Sequence, residues 1–367
     1  MEIGWEQLAM SKVRVGMISY DHIHAEFRSR ALREMPDDVS IVAIAEENEM
    51  RGSNAVKKFG GTYYKDYRDL LDRDDVDLVF IHSTNNTHKE IALHAIEAGK
   101  HLFCEKPLAT TVADAKAMVD AVNRSGLRHA VGFCSRFIPE AERAKEIISQ
   151  GLLGKLLTIK ALIGLAGIKE IGCPDYMVEW MSDPVRGAGG ALIDEGAHVF
   201  DLLHWFAGAI QSVCCATANL NKSHLQVEDN AVTLVRFQNS ALGSVTTLWS
   251  LNIDIGMRNV LEFYGTEGTL FVELTSKSPR LSLYSERTAD RTLRGWFDPD
   301  IKPAETEPHD YLSWPTHTRH YKREVTNFIE CFKNGQPFRA TFDDGLKVAR
   351  VTEAAYRSAK ERRFVDL

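Results

Sequence analysis

A carboxylate and an imidazole lie four residues apart in this chain, just after a pair of glycines. Gly189 and Gly190 are followed by Asp194 and His198. Residues at positions i and i+4 of a helix share one face, so the spacing predicts that both side chains point the same way. An acid and an imidazole on one face can orient a hydroxyl group and accept its proton.

A lysine lies in a second short motif, upstream of the first. Glu105-Lys106-Pro107 follows an apolar, strand-like run at 101–104. An ammonium group stabilises the oxyanion that develops as a hydroxyl loses its proton. An acid, a base and a lysine are together what the oxidation of an alcohol requires. We therefore interpret His198 as the general base, Lys106 as the group that stabilises the alkoxide and helps position the hydroxyl, and Asp194 as the group that orients the substrate and His198.

Each motif also has a structural explanation when it is taken alone. A Lys-Pro pair after a strand usually forms a turn, and a single histidine on a helix is usually a core residue. Asp194 and His198 also suit zinc, but the sequence offers no evident third ligand, so it predicts no metal site. The presence of both motifs in one chain favours the catalytic interpretation.

Length, charge and cysteine content restrict the class of protein. A chain of 367 residues exceeds one ordinary core and predicts two domains. The formal net charge of −7 argues against a nucleic-acid-binding surface. No apolar run is long enough to span a membrane, and the charged first residues do not resemble a signal peptide. The six cysteines lack metal-ligand spacing and predict free thiols in a cytoplasmic protein.

Strands and helices alternate in the first part of the chain. Apolar strands are predicted at 13–19, 39–45, 77–83, 101–104 and 129–133, and helices at 24–34, 49–59, 87–98 and 112–125. Buried strands separated by helices of this length are typical of a doubly wound parallel sheet. This pattern predicts a Rossmann domain over residues 1–137.

The pattern changes in the second part, over residues 138–367. A helix at 140–150 and a strand at 156–164 precede an irregular loop at 165–188 and the helix of Asp194. Long β-rich runs with short turns fill 211–285, a long loop covers 286–317, and helices follow at 321–333 and 343–360. The sequence predicts an α+β domain with an open, mainly antiparallel sheet.

The loop after the first strand departs from the usual nucleotide-binding pattern. A dinucleotide binds at the carboxyl ends of the first strands of such a sheet, where three glycines allow close approach of the pyrophosphate. Ser19, Asp21 and His24 occupy those three positions. The N-terminus of the following helix still favours an anion. We expect Asp21 to turn away from the phosphates, with His22 or His24 either holding it or facing the substrate cleft.

An acid ends the second strand, at the place where a ribose is usually bound. Glu46 lies 22 residues after His24 (46 − 24). A carboxylate here accepts hydrogen bonds from the ribose hydroxyls and repels a 2′-phosphate, so it predicts NAD in preference to NADP. The alternative is a solvated acid beside Glu47 and Glu49.

The two catalytic motifs together resemble the Gfo/Idh/MocA family of nicotinamide-dependent sugar and polyol oxidoreductases. The similarity extends over residues 13–367 and includes Gly335-Gln336-Pro337 near the end. It implies NAD as the cofactor, with Lys106 beneath the nicotinamide and a cis bond before Pro107. The cofactor-binding residues that it implies, together with those argued above, are Ser19, Tyr20, His22, Ile23, Glu46, Ser83, Thr84, Asn85, His88, Glu105, Lys106 and Arg136.

The resemblance implies a sugar, an inositol or a related polyol as the substrate. Two alternatives use the same fold. An NAD-dependent glycoside-cleaving enzyme would oxidise a hydroxyl transiently to permit elimination. A non-enzymatic sensor would keep the fold and bind a nucleotide or a sugar; the altered first loop favours it, whereas Lys106, Asp194 and His198 oppose it.

Apolar residues alternate on both faces of the strands in the second domain, as at 231–235 and 245–249. The helix of Asp194 can cover one face. The other face would be an apolar patch too large for a monomer. We therefore predict a homodimer or homotetramer with a small-molecule substrate, and no nucleic-acid or membrane partner.

Overall fold

The computed structural model describes residues 12–253, 257–275, 280–287, 299 and 319–367. The loop predicted at 286–317 lies almost wholly outside these ranges. Within the described residues, no helix is both long and apolar enough to cross a membrane.

The first sheet is parallel throughout its described strands and has the order β3-β2-β1-β4-β5-β6. Its central strands are apolar and buried on both faces, which is why they read as continuous hydrophobic runs. This confirms the doubly wound sheet. The strands are β1 Val13–Ile18, β2 Val39–Ala45, β3 Thr62–Tyr64, β4 Leu78–Ile81, β5 His101–Cys104 and β6 His129–Val131.

Helices connect the strands of the first sheet. Asn48 and Thr111 begin two of them as N-caps, each accepting a backbone hydrogen bond with its side chain. The helices are α1 His24–Arg33, α2 Glu49–Phe59, α3 Tyr67–Leu71, α4 His88–Glu97 and α5 Val112–Ser125. The sequence missed β3 and α3 because both are too short to show a period.

The second sheet is mixed, with the order β13-β12-β11-β7-β10-β9-β8-β14. Only β7 and β10 pair in parallel among its described strands, so it is mainly antiparallel, as predicted. Its strands are β7 Leu156–Leu165, β8 Ile210–Ala218, β9 Asn230–Phe237, β10 Leu242–Leu248, β11 Met257–Gly265, β12 Gly268–Thr275, β13 Arg280–Ser285 and β14 Val365–Asp366.

Five described helices accompany the second half of the chain. One of them, α7, corrects the sequence analysis, which predicted an irregular loop over 165–188. The helices are α6 Pro139–Ser149, α7 Asp175–Met181, α8 Ala191–Ala207, α9 Arg319–Lys333 and α10 Phe342–Glu361. Helix α8 is apolar and buried on nearly all sides, and it packs on β7, β9 and β10.

Helix α9 returns to the first domain. Val325, Phe328, Ile329 and Phe332 share one core with Val13 and other residues of the first sheet. This helix therefore completes the Rossmann core, although it follows the second sheet in the chain. The boundary at residue 137 stays a prediction.

Candidate active site

Lys106 lies just beyond the carboxyl end of β5, where it points away from water. Its side chain is 4% exposed, and its Nζ forms an ion pair with Oδ1 of Asp194. The bond between Lys106 and Pro107 is cis, as expected. Burial opposes the charge of this lysine, but the carboxylates of Asp194 and Glu105 raise its pKa above the ordinary value. The lysine is therefore a fixed cation.

Asp194 lies in the first turn of α8, and the start of that helix is built by a second carboxylate. Oε1 of Glu228 accepts hydrogen bonds from the backbone N–H groups of Gly190 and Leu192, each at 3.0 Å. A Cβ atom at Gly190 would lie 1.9 Å from the carbonyl oxygen of Glu228, so only glycine fits there. Nε1 of Trp249 donates to Oδ2 of Asp194 at 3.1 Å. The two oxygens of Asp194 thus face Lys106 and Trp249.

His198 lies one turn later on α8, close enough to Lys106 for the positive charge of the lysine to act on the imidazole. Its Nδ1 is buried and has no hydrogen-bond partner among the described residues. Burial, followed by the positive charge of Lys106, holds the pKa of His198 well below its usual value. The imidazole is therefore neutral near pH 7, which is the form that can accept a proton. The sequence prediction that Lys106, Asp194 and His198 converge agrees with this geometry.

Glu195 is a further acid of the site, which the sequence analysis did not select. It is buried, its Oε2 has no hydrogen-bond partner among the described residues, and it feels the charges of Asp194 and Lys106. Burial and the neighbouring charge of Asp194 raise its pKa to about 8. At neutral pH, Glu195 is thus predominantly a neutral carboxylic acid.

Glu105 anchors the turn that carries Lys106. It is fully buried and forms an ion pair with Arg28, whose Nε donates to Oε2 of Glu324 at 2.9 Å. Burial opposes ionisation of Glu105, but Arg28 and His24 hold its pKa well below the ordinary value. Arg28 and Glu324 escaped the sequence analysis because they lie 296 residues apart and meet only in the fold.

The loop after β1 keeps the backbone of a glycine fingerprint without its glycines. Ser19 has φ of +65°, the left-handed conformation that glycine adopts most easily. Its Oγ donates to Oδ2 of Asp21 at 2.9 Å and accepts from the backbone N–H of Asp21 at 3.0 Å. The other oxygen of Asp21 accepts from Arg51 at 2.5 Å. Arg51 and Ser19 therefore hold Asp21, and His22 and His24 do not; that one of these histidines faces the substrate cleft stays a prediction.

Glu46 lies at the end of β2, as predicted, but protein donors already engage it. Oε2 accepts from the backbone N–H of Tyr20 at 2.7 Å. Oε1 accepts from the backbone N–H of Asn48 at 2.9 Å and from Arg51 at 2.5 Å. Through these hydrogen bonds, Glu46 joins the first loop to the start of α2. Its contact with a ribose stays a prediction.

Helix α7 covers the first loop. Nε1 of Trp180 donates to the carbonyl oxygen of Asp21 at 3.1 Å, and the rings of Trp180 and His22 lie 6.0 Å apart. The hydroxyl of Tyr176 lies 3.4 Å from the carbonyl oxygen of Tyr20. Ile23 packs against the same apolar cluster as Trp180. The second domain therefore contacts the predicted nucleotide loop directly.

Four of the predicted cofactor-binding residues follow β4: three lie in the loop after it, and His88 begins α4. Asn85 donates through Nδ2 to the carbonyl oxygen of Gly187 at 2.9 Å, which ties this loop to the second domain. The ring nitrogens of His88 lie 2.9 Å and 3.2 Å from the carbonyl oxygens of Pro107 and Ser83. His88 is fully buried, and its two contacts join the loop after β4 to the turn that contains Pro107. Thr84 directly precedes a short 3₁₀ turn, Asn85–Thr87, which lies between β4 and α4.

Arg136 lies further from the first loop, in a 3₁₀ turn after β6. Its Nε and NH2 groups donate to the two oxygens of Asp201 at 2.9 Å and 2.6 Å. Asp201 is one turn beyond His198 on α8, and burial raises its pKa to about 6. These two hydrogen bonds between Arg136 and Asp201 hold α8 against the first domain. A contact of Arg136 with the cofactor stays a prediction.

Two family models together match most of the chain. Residues 13–133 match the NAD-binding Rossmann fold of the Gfo/Idh/MocA oxidoreductase family, and residues 145–367 match its C-terminal alpha/beta domain. The chain belongs to this family. It is therefore an oxidoreductase with an NAD-binding domain, and the resemblance inferred from the motifs is confirmed.

Similar proteins include dehydrogenases with solved structures. The chain is 28% identical over 366 residues to levoglucosan dehydrogenase of Pseudarthrobacter phenanthrenivorans, with 88% of each chain covered. It is 26% identical to myo-inositol 2-dehydrogenase of Thermotoga maritima, covering 97% of this chain and 98% of the relative. A structure of levoglucosan dehydrogenase in complex with NADH and levoglucosan matches with a TM-score of 0.85 over 97% of this chain and 99% of that chain, at 28% identity.

The residues at this edge of the first sheet fit NAD, although by a changed set of contacts. The left-handed backbone at Ser19 reproduces the turn of the fingerprint, and Nε of Arg51 is buried without a hydrogen-bond partner among the described residues. The N–H groups of Tyr20, Asp21 and His24 already donate to protein acceptors. Nε of Arg51 would therefore meet the phosphates in place of those amides.

Proposed function

We propose that this protein oxidises a hydroxyl group of a sugar or cyclic polyol, with NAD as its redox partner. The observation that supports this most strongly is the ion pair of Lys106 with Asp194 on the helix that carries the neutral His198. A fixed cation can stabilise the alkoxide and a neutral imidazole can accept the proton, and hydroxyl oxidation needs both. Bound NAD supplies the hydride acceptor.

Lys106 stabilises the negative charge on the substrate oxygen. Its ammonium group is buried, so its attraction for a developing alkoxide is weakly screened. Since the neighbouring carboxylates favour its protonated form, Lys106 donates hydrogen bonds and does not act as the base. Its partner Asp194 holds the ammonium group in place and offers an acceptor for a second substrate hydroxyl.

His198 removes the hydroxyl proton. Its unpartnered Nδ1 is a free position for a hydrogen bond within the described residues. Transfer of the proton to His198 places a positive charge near Lys106, and the repulsion favours passing the proton onward. The reverse reduction uses the same groups in the opposite order.

The substrate class is inferred from the relatives and from the polar groups of the site. Levoglucosan and myo-inositol, in the names of two relatives, are a sugar derivative and a cyclic polyol. Lys106, Asp194 and His198 together offer donors and acceptors for adjacent hydroxyl groups. Six unpaired thiols support a reducing, cytoplasmic location.

We also propose that one face of the second sheet, which the described residues leave uncovered at β9 and β10, forms the interface of a homodimer or homotetramer. Val232 and Leu234 on β9 and Leu242 on β10 are about half exposed on this face, at 50%, 48% and 51%. Residues on the opposite face of the same strands are buried beneath α8. Burial of these side chains against a second copy would supply the hydrophobic gain that a symmetric dimer needs.

A substrate screen tests the proposed reaction. The purified protein is mixed with NAD and a panel of sugars, anhydrosugars and inositols, and NADH formation is followed by absorbance. We expect at least one compound of the panel to be oxidised, with a loss of rate in His198→Ala. Analysis of the products separates a keto sugar from a cleaved glycoside. No NADH formation with any compound, in a protein shown to bind NAD, would contradict the proposal.

A further inference from the structure

A carboxylate and two imidazoles converge on one buried point beside the catalytic lysine. Glu105, His22 and His24 each offer a ligand atom, and these three atoms lie within 4.8 Å of one another. All three side chains are buried. Two imidazoles and one carboxylate are a donor set that binds zinc in enzymes. We propose that these residues bind a divalent cation of the zinc type, in addition to the proposed dehydrogenase site, which uses no metal.

The separation between His24 and Glu105 is compatible with a shared ion. Nδ1 of His24 lies 3.2 Å from Oε1 of Glu105, yet this buried nitrogen makes no hydrogen bond within the described residues. Two donors held tetrahedrally at about 2.05 Å from one ion lie about 3.3 Å apart. The observed separation therefore matches two ligands that point at a common third position.

The other nitrogen of His24 has the partner that a metal-binding imidazole usually has. The hydroxyl of Tyr321 lies 2.6 Å from Nε2 of His24, which fixes the ring orientation. Hydrogen bonds of this kind orient ligands in known metal sites. The ring of His22 lies 4.1 Å from that of His24. Its Nδ1 accepts the backbone N–H of His24 at 3.2 Å, and because a neutral imidazole has a single acceptor nitrogen, an ion bound by His22 would replace this hydrogen bond. The fold thus holds the ring of His24 in position and places that of His22 beside it.

The local charge balance also favours a cation. Oε2 of Glu105 faces Arg28, and the same guanidinium binds Glu324. Two carboxylates therefore share one arginine in a buried cluster, and Oε1 of Glu324 has no hydrogen-bond partner among the described residues. A cation bound by Glu105 would add a second positive charge beside these two carboxylates.

The proposed ion would adjoin the catalytic lysine. The backbone N–H of Lys106 donates at 3.0 Å to Oε1 of Glu105, the oxygen that faces His24. Three protein ligands leave at least one coordination position for water or for an oxygen of a bound molecule. The ion would therefore fix the turn that carries Lys106 and offer an oxygen-binding position next to it.

Metal titration of the full-length protein tests the site. The protein is stripped with a chelator and titrated with Zn²⁺ by calorimetry, and with Co²⁺ by visible absorption. We expect one ion per chain and visible absorption bands typical of bound Co²⁺. His22→Gln and His24→Gln should each weaken binding by at least about 100-fold, because loss of a hydrogen-bonding partner alone costs 10–100-fold. Tyr321→Phe should weaken it by about 10-fold or more.

The matched control is His224→Gln, which removes an exposed histidine of the second domain. Its Zn²⁺ affinity should equal that of the unaltered protein. The proposal fails if no saturable binding is seen, if both histidine variants bind as tightly as the unaltered protein, or if the control loses affinity equally. Should His24→Gln not fold, as judged by circular dichroism, unchanged affinity in both His22→Gln and Tyr321→Phe would overturn it. None of these readouts depends on dehydrogenase activity.

Discussion

The indole Nε1 of Trp249 donates a hydrogen bond to Oδ2 of Asp194, with the two atoms 3.1 Å apart. Both residues are buried. Because Oδ1 of the same carboxylate faces Nζ of Lys106, Asp194 is held from two sides. A tryptophan that follows β10 in the second domain thus helps to place a lysine of the first domain. The ammonium position therefore depends on the contact between the two domains.

Removal of the side chain of Lys106 or of His198 should abolish most of the turnover. Lys106→Ala and His198→Ala should each lower kcat by at least about 100-fold, the range for an alkoxide-stabilising or proton-accepting group. Steady-state kinetics on a substrate from the screen measures this, and NAD binding should persist in both variants. Rates close to those of the unaltered protein in either variant would show that the chemistry belongs to other residues.

A double variant separates catalysis from stability at Lys106. Removal of this lysine alone leaves Asp194 as a buried carboxylate without its cation, at a cost of roughly 3–5 kcal/mol. Lys106→Met combined with Asp194→Asn removes both charges. We expect the double variant to recover thermal stability without recovering activity.

Glu195→Gln should change how stability depends on pH. Burial and Asp194 raise the pKa of Glu195 from 4.5 to about 8 in the folded protein. Between these values, the folded chain holds a proton that the unfolded chain releases, so this group lowers stability as pH rises. Glutamine carries no such proton. The variant should therefore gain stability relative to the unaltered protein between pH 5 and pH 8, by at most about 1.4 kcal/mol per pH unit.

Urea denaturation of both proteins across this pH range measures the difference in the free energy of unfolding. Glu47→Gln removes an exposed carboxylate and serves as the control. A difference between Glu195→Gln and the unaltered protein that stays constant with pH would contradict the raised pKa.

Two carboxylates around one guanidinium should set the nucleotide preference. Arg51 binds both Asp21 and Glu46, which leaves an excess negative charge at this corner. A 2′-phosphate is repelled by that excess, so we expect NAD(H) to bind more tightly than NADP(H). Asp21→Asn combined with Glu46→Gln frees the charge of Arg51 and should shift the ratio of the two affinities towards NADP(H) by about 10-fold or more.

Calorimetric titration with both nucleotides measures this ratio. Glu47→Gln again serves as the control, because it removes a nearby exposed charge that does not pair with Arg51. Tighter binding of NADP(H) by the unaltered protein, or an equal shift in the control, would contradict the assignment.

The sequence was sufficient for the regular parts of the fold. The predicted strands of the first sheet are apolar runs, and two of the predicted helices between them begin at side-chain N-caps, so their bounds were predicted to within a few residues. The proposed catalytic residues were selected because Asp194 and His198 share a helix face. Helix α7 was missed because it is short, and because its packing rests on contacts of Trp180 with the first loop.

The partners of the catalytic residues could not be predicted in the same way. Trp249 meets Asp194 across 55 residues of sequence, and Arg28 meets Glu324 across 296. Such pairs have no periodicity, since only the packing of the two domains brings them together. The role of Arg51 was missed for a related reason. Nothing in the sequence of α2 indicates that this residue contacts Asp21 in the loop after β1.

The backbone at Ser19 predicts different effects on stability for two small substitutions. Its φ of +65° costs about 1–2 kcal/mol for a residue with a side chain. Ser19→Gly removes this strain but loses the hydroxyl contacts with Asp21, so its stability should be nearly unchanged. Ser19→Ala keeps the strain and loses the same contacts. We expect the alanine variant to be less stable than the glycine variant by about 1–2 kcal/mol in denaturant unfolding, with NAD affinity unchanged or improved in Ser19→Gly. Equal stabilities would contradict this explanation of the loop.

The uncovered sheet face should control the size of the assembly. Leu234 is half exposed at the centre of this face, opposite Ser244 of β10, so a glutamate there would place a charge in the proposed interface. Leu220→Glu introduces the same charge at a leucine that is 75% exposed outside the strands. Light scattering should show a dimer or tetramer for the unaltered protein and for Leu220→Glu, and a smaller species for Leu234→Glu. A mass near the 41.2 kDa of one chain for the unaltered protein would contradict the proposed interface, and so would an unchanged mass in Leu234→Glu.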